Sequence, residues 1–121
     1  MKIICAGFPK TGSKSCSSAL RKLDFTVADV LETMDFLSEV WLNYGTGKGT
    51  IKDVIAEYDK NGFDANQDMP GNLHWEAMYK ASPLGTKVIL TIRDSDEQWF
   101  NSWKNYWTHG KLNLLRIPAM I

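Results

Sequence analysis

Apolar and polar positions along this chain repeat at two periods, and the period switches several times. Lys2-Ile3-Ile4-Cys5-Ala6-Gly7-Phe8 is a nearly continuous apolar run that ends in turn chemistry. That pattern predicts a buried strand of the parallel type. Pro9 to Ser15 is rich in glycine and hydroxyls, and Cys16, Ala19, Leu20 and Leu23 then recur at helical spacing, with Arg21 and Lys22 opposite. Residues 25–30 predict a second short strand. Phe36, Leu37, Val40, Trp41 and Tyr44 form a helical stripe within 31–44, and Gly45-Thr46-Gly47-Lys48-Gly49 breaks it. Thr50-Ile51-Lys52-Asp53 opens the next helix in the manner of a capping box, and Ile51, Val54, Ile55 and Tyr58 share its apolar face. Residues 61–71 are polar and turn-rich, which predicts a loop. Leu73 to Lys80 predicts a helix and Pro83-Leu84-Gly85 a turn. Lys87 to Ile92 predicts the strongest strand in the chain. Arg93 follows it, and Trp99, Trp103 and Trp107 then fall on one face of a last helix. The simplest reading of that stripe is a core face packed on the sheet, with Trp41 and Trp75 also in the core.

Strands that alternate with helices predict an α/β fold with a mostly parallel sheet flanked by helices. Ligands of such sheets bind beyond the carboxyl ends of the strands. Two strand ends carry chemistry here: Gly7 to Ser15 after the first and Arg93 to Asp96 after the last. They face one crevice if those two strands are neighbours.

Composition narrows the classes. At 121 residues, 44% hydrophobic and 23% charged, the chain fits one soluble globular domain and excludes a disordered or fibrous segment. Fourteen basic and fourteen acidic residues cancel, which argues against a nucleic-acid partner. The cancellation hides an asymmetry: residues 1–23 hold five bases and no acid, which suits a local anion site. Cys5 and Cys16 are too few for a disulfide framework, and no Cys/His cluster suggests zinc, so a reducing, cytoplasmic setting is expected. No apolar run reaches the roughly 20 residues of a membrane-spanning helix.

A phosphate loop needs backbone N–H groups converging at a helix N-terminus and a cation to offset charge. Gly7-Phe8-Pro9-Lys10-Thr11-Gly12-Ser13-Lys14-Ser15 supplies the parts. Gly12 lets the backbone approach an anion, Lys10 and Lys14 bring charge, and Thr11, Ser13 and Ser15 bring hydroxyls. The strict GxxxxGK[ST] pattern is not met, because Ser13 stands where its Lys belongs. Gly45 to Thr50 is a lookalike, but it follows a helical stripe and reads as a helix-to-helix connection. At the last strand's end Arg93 can fork onto a phosphate, or else pair with Asp94, Asp96 or Glu97.

The first loop, then Asp68-Met69-Pro70, then Lys87 to Asp94 leading into Trp99 and Ser102, resembles the sulfotransferase family, in particular its small P-loop sulfotransferase-like branch. The resemblance implies a three-layer, P-loop NTPase-like α/β fold. It implies binding of the donor 3′-phosphoadenosine-5′-phosphosulfate and transfer of its sulfuryl group, without a metal, to a hydroxyl or amine of a small-molecule or glycan acceptor. Lys10, Thr11, Gly12, Ser13, Lys14 and Ser15 match the loop that holds the 5′-phosphosulfate. Arg93 matches the arginine that holds the 3′-phosphate. The family's serine lies eight residues after that arginine, where this chain has Asn101, and Ser102 is one further. Lys10 is the residue the resemblance places against charge developing on the leaving group. Asp68 stands where many members carry the histidine base, and His74 is an alternative; Asp68 can equally make a turn before Pro70. The aromatic that stacks on adenine in cytosolic members is Ser15 here.

Two other readings stay open. One is a kinase-type P-loop enzyme, which needs a carboxylate for Mg²⁺ such as Asp29 or Asp94. The other is a catalytically degenerate binding module of the same fold. Residues 1–121 are expected to form a single domain, incomplete at its C-terminal side relative to the family. The apolar end, Leu112 to Ile121, is expected to be covered by further chain, a second copy or another partner.

Overall fold

The computed structural model describes the backbone of residues 1–115 and side chains through residue 109. Four short strands, β1 (Ile3–Cys5), β2 (Val27–Ala28), β3 (Ala65–Asn66) and β4 (Lys87–Ile89), form one sheet in the order β2-β3-β1-β4. Every pairing is parallel, with Ile3 opposite both Ala65 and Lys87, and Val27 opposite Ala65. The helices are α1 (Ser13–Lys22), α2 (Val30–Glu32), α3 (Ser38–Gly45), α4 (Ile51–Lys60), α5 (Trp75–Ala81) and α6 (Asp96–Leu115).

Strand alternation distributes these helices over both sheet faces. Ile4 and Ala28 join Leu37, Trp41, Val54, Ile55, Tyr58, Phe63 and Met78 in one core, under α3, α4 and α5. Ile3, Cys5, Val27 and Ala65 point the other way and pack with Leu20 and Cys16 of α1. The result is the three-layer α/β arrangement that was expected. No helix among the described residues is long and apolar enough to cross a membrane.

Local chemistry sets the helix ends. Thr50 and Asp53 cap α4 reciprocally, as the sequence predicted. Asp29 and Glu32 do the same for α2. The stripe over 31–44 is not one helix: a π-turn at Thr33–Leu37 separates α2 from α3. The extra residue lets Leu37 and Trp41 face the core, and it leaves Phe36 more than half exposed. In the Gly45–Thr50 connection, Lys48 and Gly49 donate backbone N–H groups to the Asn43 carbonyl. That segment is a helix-to-helix turn. β3 was read as loop, because its two residues lie in a polar stretch.

The largest departures lie after β3. The run 87–92 forms a strand only over Lys87–Ile89, at the sheet edge, and Leu90 and Ile92 are exposed. The tryptophan stripe of α6 is not a core face either. Trp99 stacks on Trp103 and meets Phe8, and Trp107 is half exposed, because α6 leaves the sheet and docks on the loop after β1. Trp41 is buried as expected, but Trp75 is exposed. The covering expected for the apolar C-terminal end concerns side chains outside the described residues.

Ala6 donates to the Ile89 carbonyl at 2.8 Å, the rung just beyond β1. There the two chains run so close that a Cβ on Gly7 would clash with the Thr91 side chain and lie 2.8 Å from its carbonyl oxygen. Gly7→Ala is therefore expected to destabilise the fold by about 1–3 kcal/mol in urea denaturation. An unchanged midpoint would show that the two chains separate easily.

Candidate functional site

The adjacency of β1 and β4 brings both chemically rich strand ends together. Gly12, at φ +91°, turns the chain into α1, whose N-terminus has no side-chain cap and no acid in its first turn. An uncapped, acid-free helix start leaves N–H groups and positive dipole for an anion. Ser13, Lys14 and Ser15 form that first turn, with Lys14 and Ser15 exposed and Ser13 half-buried. Thr11 is used differently from the sequence expectation. Its hydroxyl donates to the Phe8 carbonyl at 2.6 Å and accepts from Thr91 at 2.7 Å, so the Thr91 proton fastens the loop to the segment after β4.

Arg93 reaches back across the crevice. Its Nε donates to the Lys10 carbonyl at 2.8 Å, and one Nη donates to the Ser102 hydroxyl at 2.9 Å. No carboxylate lies within ion-pair distance of it among the described residues, so the alternative pairing with Asp94, Asp96 or Glu97 is not formed. A guanidinium has five N–H groups, and the remaining three are free of protein partners among the described residues. Trp99 adds a third tie, from Nε1 to the Pro9 carbonyl at 2.9 Å. Thr11, Gly12, Ile92, Arg93, Asp94 and Gln98 line a cavity of about 330 Å³ here. A hollow of about 410 Å³ along α5, lined in part by His74 and Glu76, shares no residue with it.

Lys10 occupies the left-handed region at φ +67°, and its ammonium lies 5.0 Å from the centroid of the Tyr106 ring. Asp68, at φ +69°, is the other candidate held in that region. Asp68 follows β3 and is half-buried. Its Oδ1 accepts from the adjacent Met69 N–H at 2.9 Å; the bond of an Asx turn would need the N–H two residues on, which Pro70 lacks. Burial pushes its pKa above the ordinary carboxylate value, and the nearby Asp29 charge adds to this against the Met69 hydrogen bond. Its own carbonyl accepts from the Asn72 N–H at 3.1 Å, and the Asn72 side chain donates to the Gly7 carbonyl at 3.1 Å. Asp68 is thereby linked to the start of the loop after β1. His74 instead stacks on Trp41 and meets Tyr44 edge-on, at 5.6 and 5.3 Å between centroids. His109 lies in α6 and is exposed.

Several contributors were invisible in the sequence. Asn66 is buried and accepts from the Cys5 N–H at 3.0 Å, and Asn72 is buried beside Gly7. Asn66 lies in the segment read as polar loop and Asn72 just after it, and only the sheet order reveals that they hold the end of β1. Ser17 is buried in α1 and donates to Asp29 at 2.6 Å. Thr91 and Tyr106 matter through contacts 80 or more residues apart in sequence, which no local period encodes.

The raised pKa of Asp68 gives a stability prediction with a definite sign. A group whose folded pKa is raised stabilises the fold below its unfolded pKa and loses that contribution as pH rises through the folded value. At pH 7, well above the ordinary carboxylate value, Asp68 therefore opposes folding relative to acid. Asp68→Asn is expected to melt higher than the unaltered chain at pH 7. The gap should close as pH falls toward 3.8, the ordinary carboxylate value. A variant that melts lower at pH 7, or a gap that widens in acid, would refute the assignment.

Comparison with known proteins places this geometry. No curated protein sequence matches the chain. A family model described as a sulfotransferase domain matches residues 2–120, which span both strand ends, Asp68 and the start of α6. With that match over nearly its whole length, the chain belongs to the sulfotransferase-domain family.

Proposed function

We propose that this protein binds 3′-phosphoadenosine-5′-phosphosulfate between the Gly12 turn and Arg93, and transfers its sulfuryl group to an acceptor hydroxyl or amine. One observation carries the reading: Arg93 joins the Lys10 carbonyl to the Ser102 hydroxyl beside the uncapped start of α1. Two anion-seeking groups then face one cavity, as a nucleotide with phosphates at both ends of its ribose requires. The α1 N–H groups, with Ser13, Lys14 and Ser15, take the 5′-phosphosulfate. The free N–H groups of Arg93, with Ser102, take the 3′-phosphate.

In the transfer, the bond from sulfur to the bridging oxygen breaks as the acceptor oxygen or nitrogen bonds to sulfur. Negative charge grows on the departing phosphate. The helix start and the Lys10 ammonium stabilise that charge, which is electrostatic catalysis by groups already in place. For this the Lys10 side chain leaves the Tyr106 ring, an exposed contact worth only about 0.5–1 kcal/mol. Thr11 contributes a backbone donor and keeps the loop tied to Thr91. Asp68 receives the acceptor's proton. Burial raises its pKa, which makes it a stronger base than an ordinary aspartate. The acceptor is a small molecule or a glycan.

Calorimetry with 3′-phosphoadenosine-5′-phosphate tests the donor site. Binding without added Mg²⁺ is expected. Arg93→Ala should weaken it by about 10- to 100-fold, the cost of charge-assisted hydrogen bonds. The same variant should lose distinctly less affinity for adenosine 5′-phosphosulfate, which lacks the 3′-phosphate, because there only the tie to the Lys10 carbonyl is missing. Equal losses for both nucleotides would remove Arg93 from the 3′-phosphate. Magnesium-dependent binding of ATP with no preference for a 3′-phosphate would favour a kinase-type enzyme. Lys10→Ala should lower the transfer rate more than the affinity. Nucleotide binding with no transfer to any phenol, amine or sugar would point to a degenerate module.

A further inference from the structure

The two cysteines stand on either side of the phosphate-type loop. Cys5 ends β1 and is fully buried, and Cys16 lies in α1 and is half-buried. Their sulfurs are 3.9 Å apart. Between them lies residues 6–15, the whole segment that turns from the sheet into α1. Both pack in the same apolar cluster, beneath α1.

We propose that Cys5 and Cys16 form a reversible disulfide that gates the anion loop. The oxidant is a hydroperoxide. The Cys16 thiol, the more accessible of the two, attacks the peroxide. The O–O bond breaks, sulfur loses two electrons, and Cys16 becomes a sulfenic acid as an alcohol or water leaves. The Cys5 sulfur then attacks the Cys16 sulfur. The S–O bond breaks, and hydroxide departs with the Cys5 proton as water. Two thiols and one hydroperoxide thus give one disulfide, one alcohol and one water, or two waters with hydrogen peroxide. A small dithiol reverses the step by exchange. Burial, with Cys16 beside it, pushes the Cys5 thiol well above its ordinary pKa. That shift slows Cys5 as a nucleophile, and its burial keeps it from meeting the oxidant itself; its place 3.9 Å from the Cys16 sulfur is what makes it the resolving partner of that neighbour's sulfenic acid.

The gate follows from geometry. A disulfide holds its sulfurs about 2.0 Å apart, so closing the 3.9 Å gap draws the first turns of α1 toward β1. The helix-start N–H groups move with that turn, while Arg93, on the segment after β4, stays hydrogen-bonded to Ser102 of α6. The two anion-binding ends fall out of register. The gating half of the proposal rests on the donor-site reading above, and the disulfide half does not.

The test uses the whole chain, treated with hydrogen peroxide and then with a dithiol. Intact mass should fall by two hydrogens and recover on reduction, and Cys16→Ser should not lose them. Amide hydrogen exchange over residues 6–15 should change between the two forms and return on reduction. Affinity for 3′-phosphoadenosine-5′-phosphate should drop about tenfold or more on oxidation, the loss of one to two hydrogen bonds. No mass loss, a doubled mass from an intermolecular bridge, or the same loss in Cys16→Ser overturns the disulfide. An oxidised form that binds the nucleotide as tightly as the reduced one overturns the gate. Absence of binding in the reduced form refutes the donor site instead. The disulfide is then judged by mass, and the gate by exchange over 6–15, where an unchanged pattern overturns it.

Discussion

The parallel pairing of β1 with β4 is the constraint on which the site depends. Its last rung, from the Ala6 N–H to the Ile89 carbonyl, is where both strands stop being sheet. Past that point the loop from Gly7 and the segment from Leu90 emerge side by side. Every tie across the crevice is then short-range in space, although each joins residues 80 or more apart in sequence. Thr11 meets Thr91, Trp99 reaches the Pro9 carbonyl, and Arg93 reaches the Lys10 carbonyl. In another strand order Arg93, exposed as it is, would lack the Lys10 carbonyl as a partner. The sheet is small, with strands of two or three residues, so its own ladder is weak. Side-chain amides compensate: Asn66 and Asn72 take up the Cys5 N–H and the Gly7 carbonyl where the ladder ends.

The fold was largely legible because its strongest signals are local. The run to Cys5, the Gly12 turn, the amphipathic face of α1 and the Thr50–Asp53 cap each follow from short-range spacing. β3 failed for a physical reason. Ala65-Asn66 earns its place by pairing on both sides, with β1 and β2, and a two-residue strand has no period to detect. The π-turn at Thr33–Leu37 failed similarly, since one inserted residue leaves the apolar count unchanged and only shifts its register. The run 87–92 misled in the opposite direction. Its composition is that of a strand covered on both faces, but β4 is the edge strand, and Leu90 and Ile92 lie in solvent.

The site was legible in its residue types but not in its wiring. Lys10, Gly12, Arg93 and Ser102 were identifiable from motif order. That Ser102, and not Asn101, meets Arg93 depends on the helical phase of α6. The tryptophans were misassigned because a stripe at every fourth position says only that one face is used. Here that face clamps a loop. Trp99 spends its N–H on Pro9 and its ring on Phe8, so the indole positions the loop from which Lys10 projects.

Backbone strain says which of these side chains the fold is built to present. Among the described residues, three positions other than glycine have positive φ: Lys10, Asp24 and Asp68. Asp24 follows the end of α1, a position where the left-handed conformation is routine. Aspartate tolerates that region through its short polar side chain, so Asp68 needs little further explanation. Lysine has no such excuse. A long side chain in that region costs on the order of 1 kcal/mol or more, and glycine would remove the cost. The strain is held by hydrogen bonds on the carbonyls of residues 9 and 10, from Trp99 and Arg93. Those two donors fix the main chain and would do so equally well around a glycine. What a glycine could not supply is the ammonium, and that ammonium rests on an aromatic ring and not on a carboxylate. Among the described residues the cation on this strained backbone is held by a weak aromatic contact alone, which fits the mobile charge proposed for Lys10.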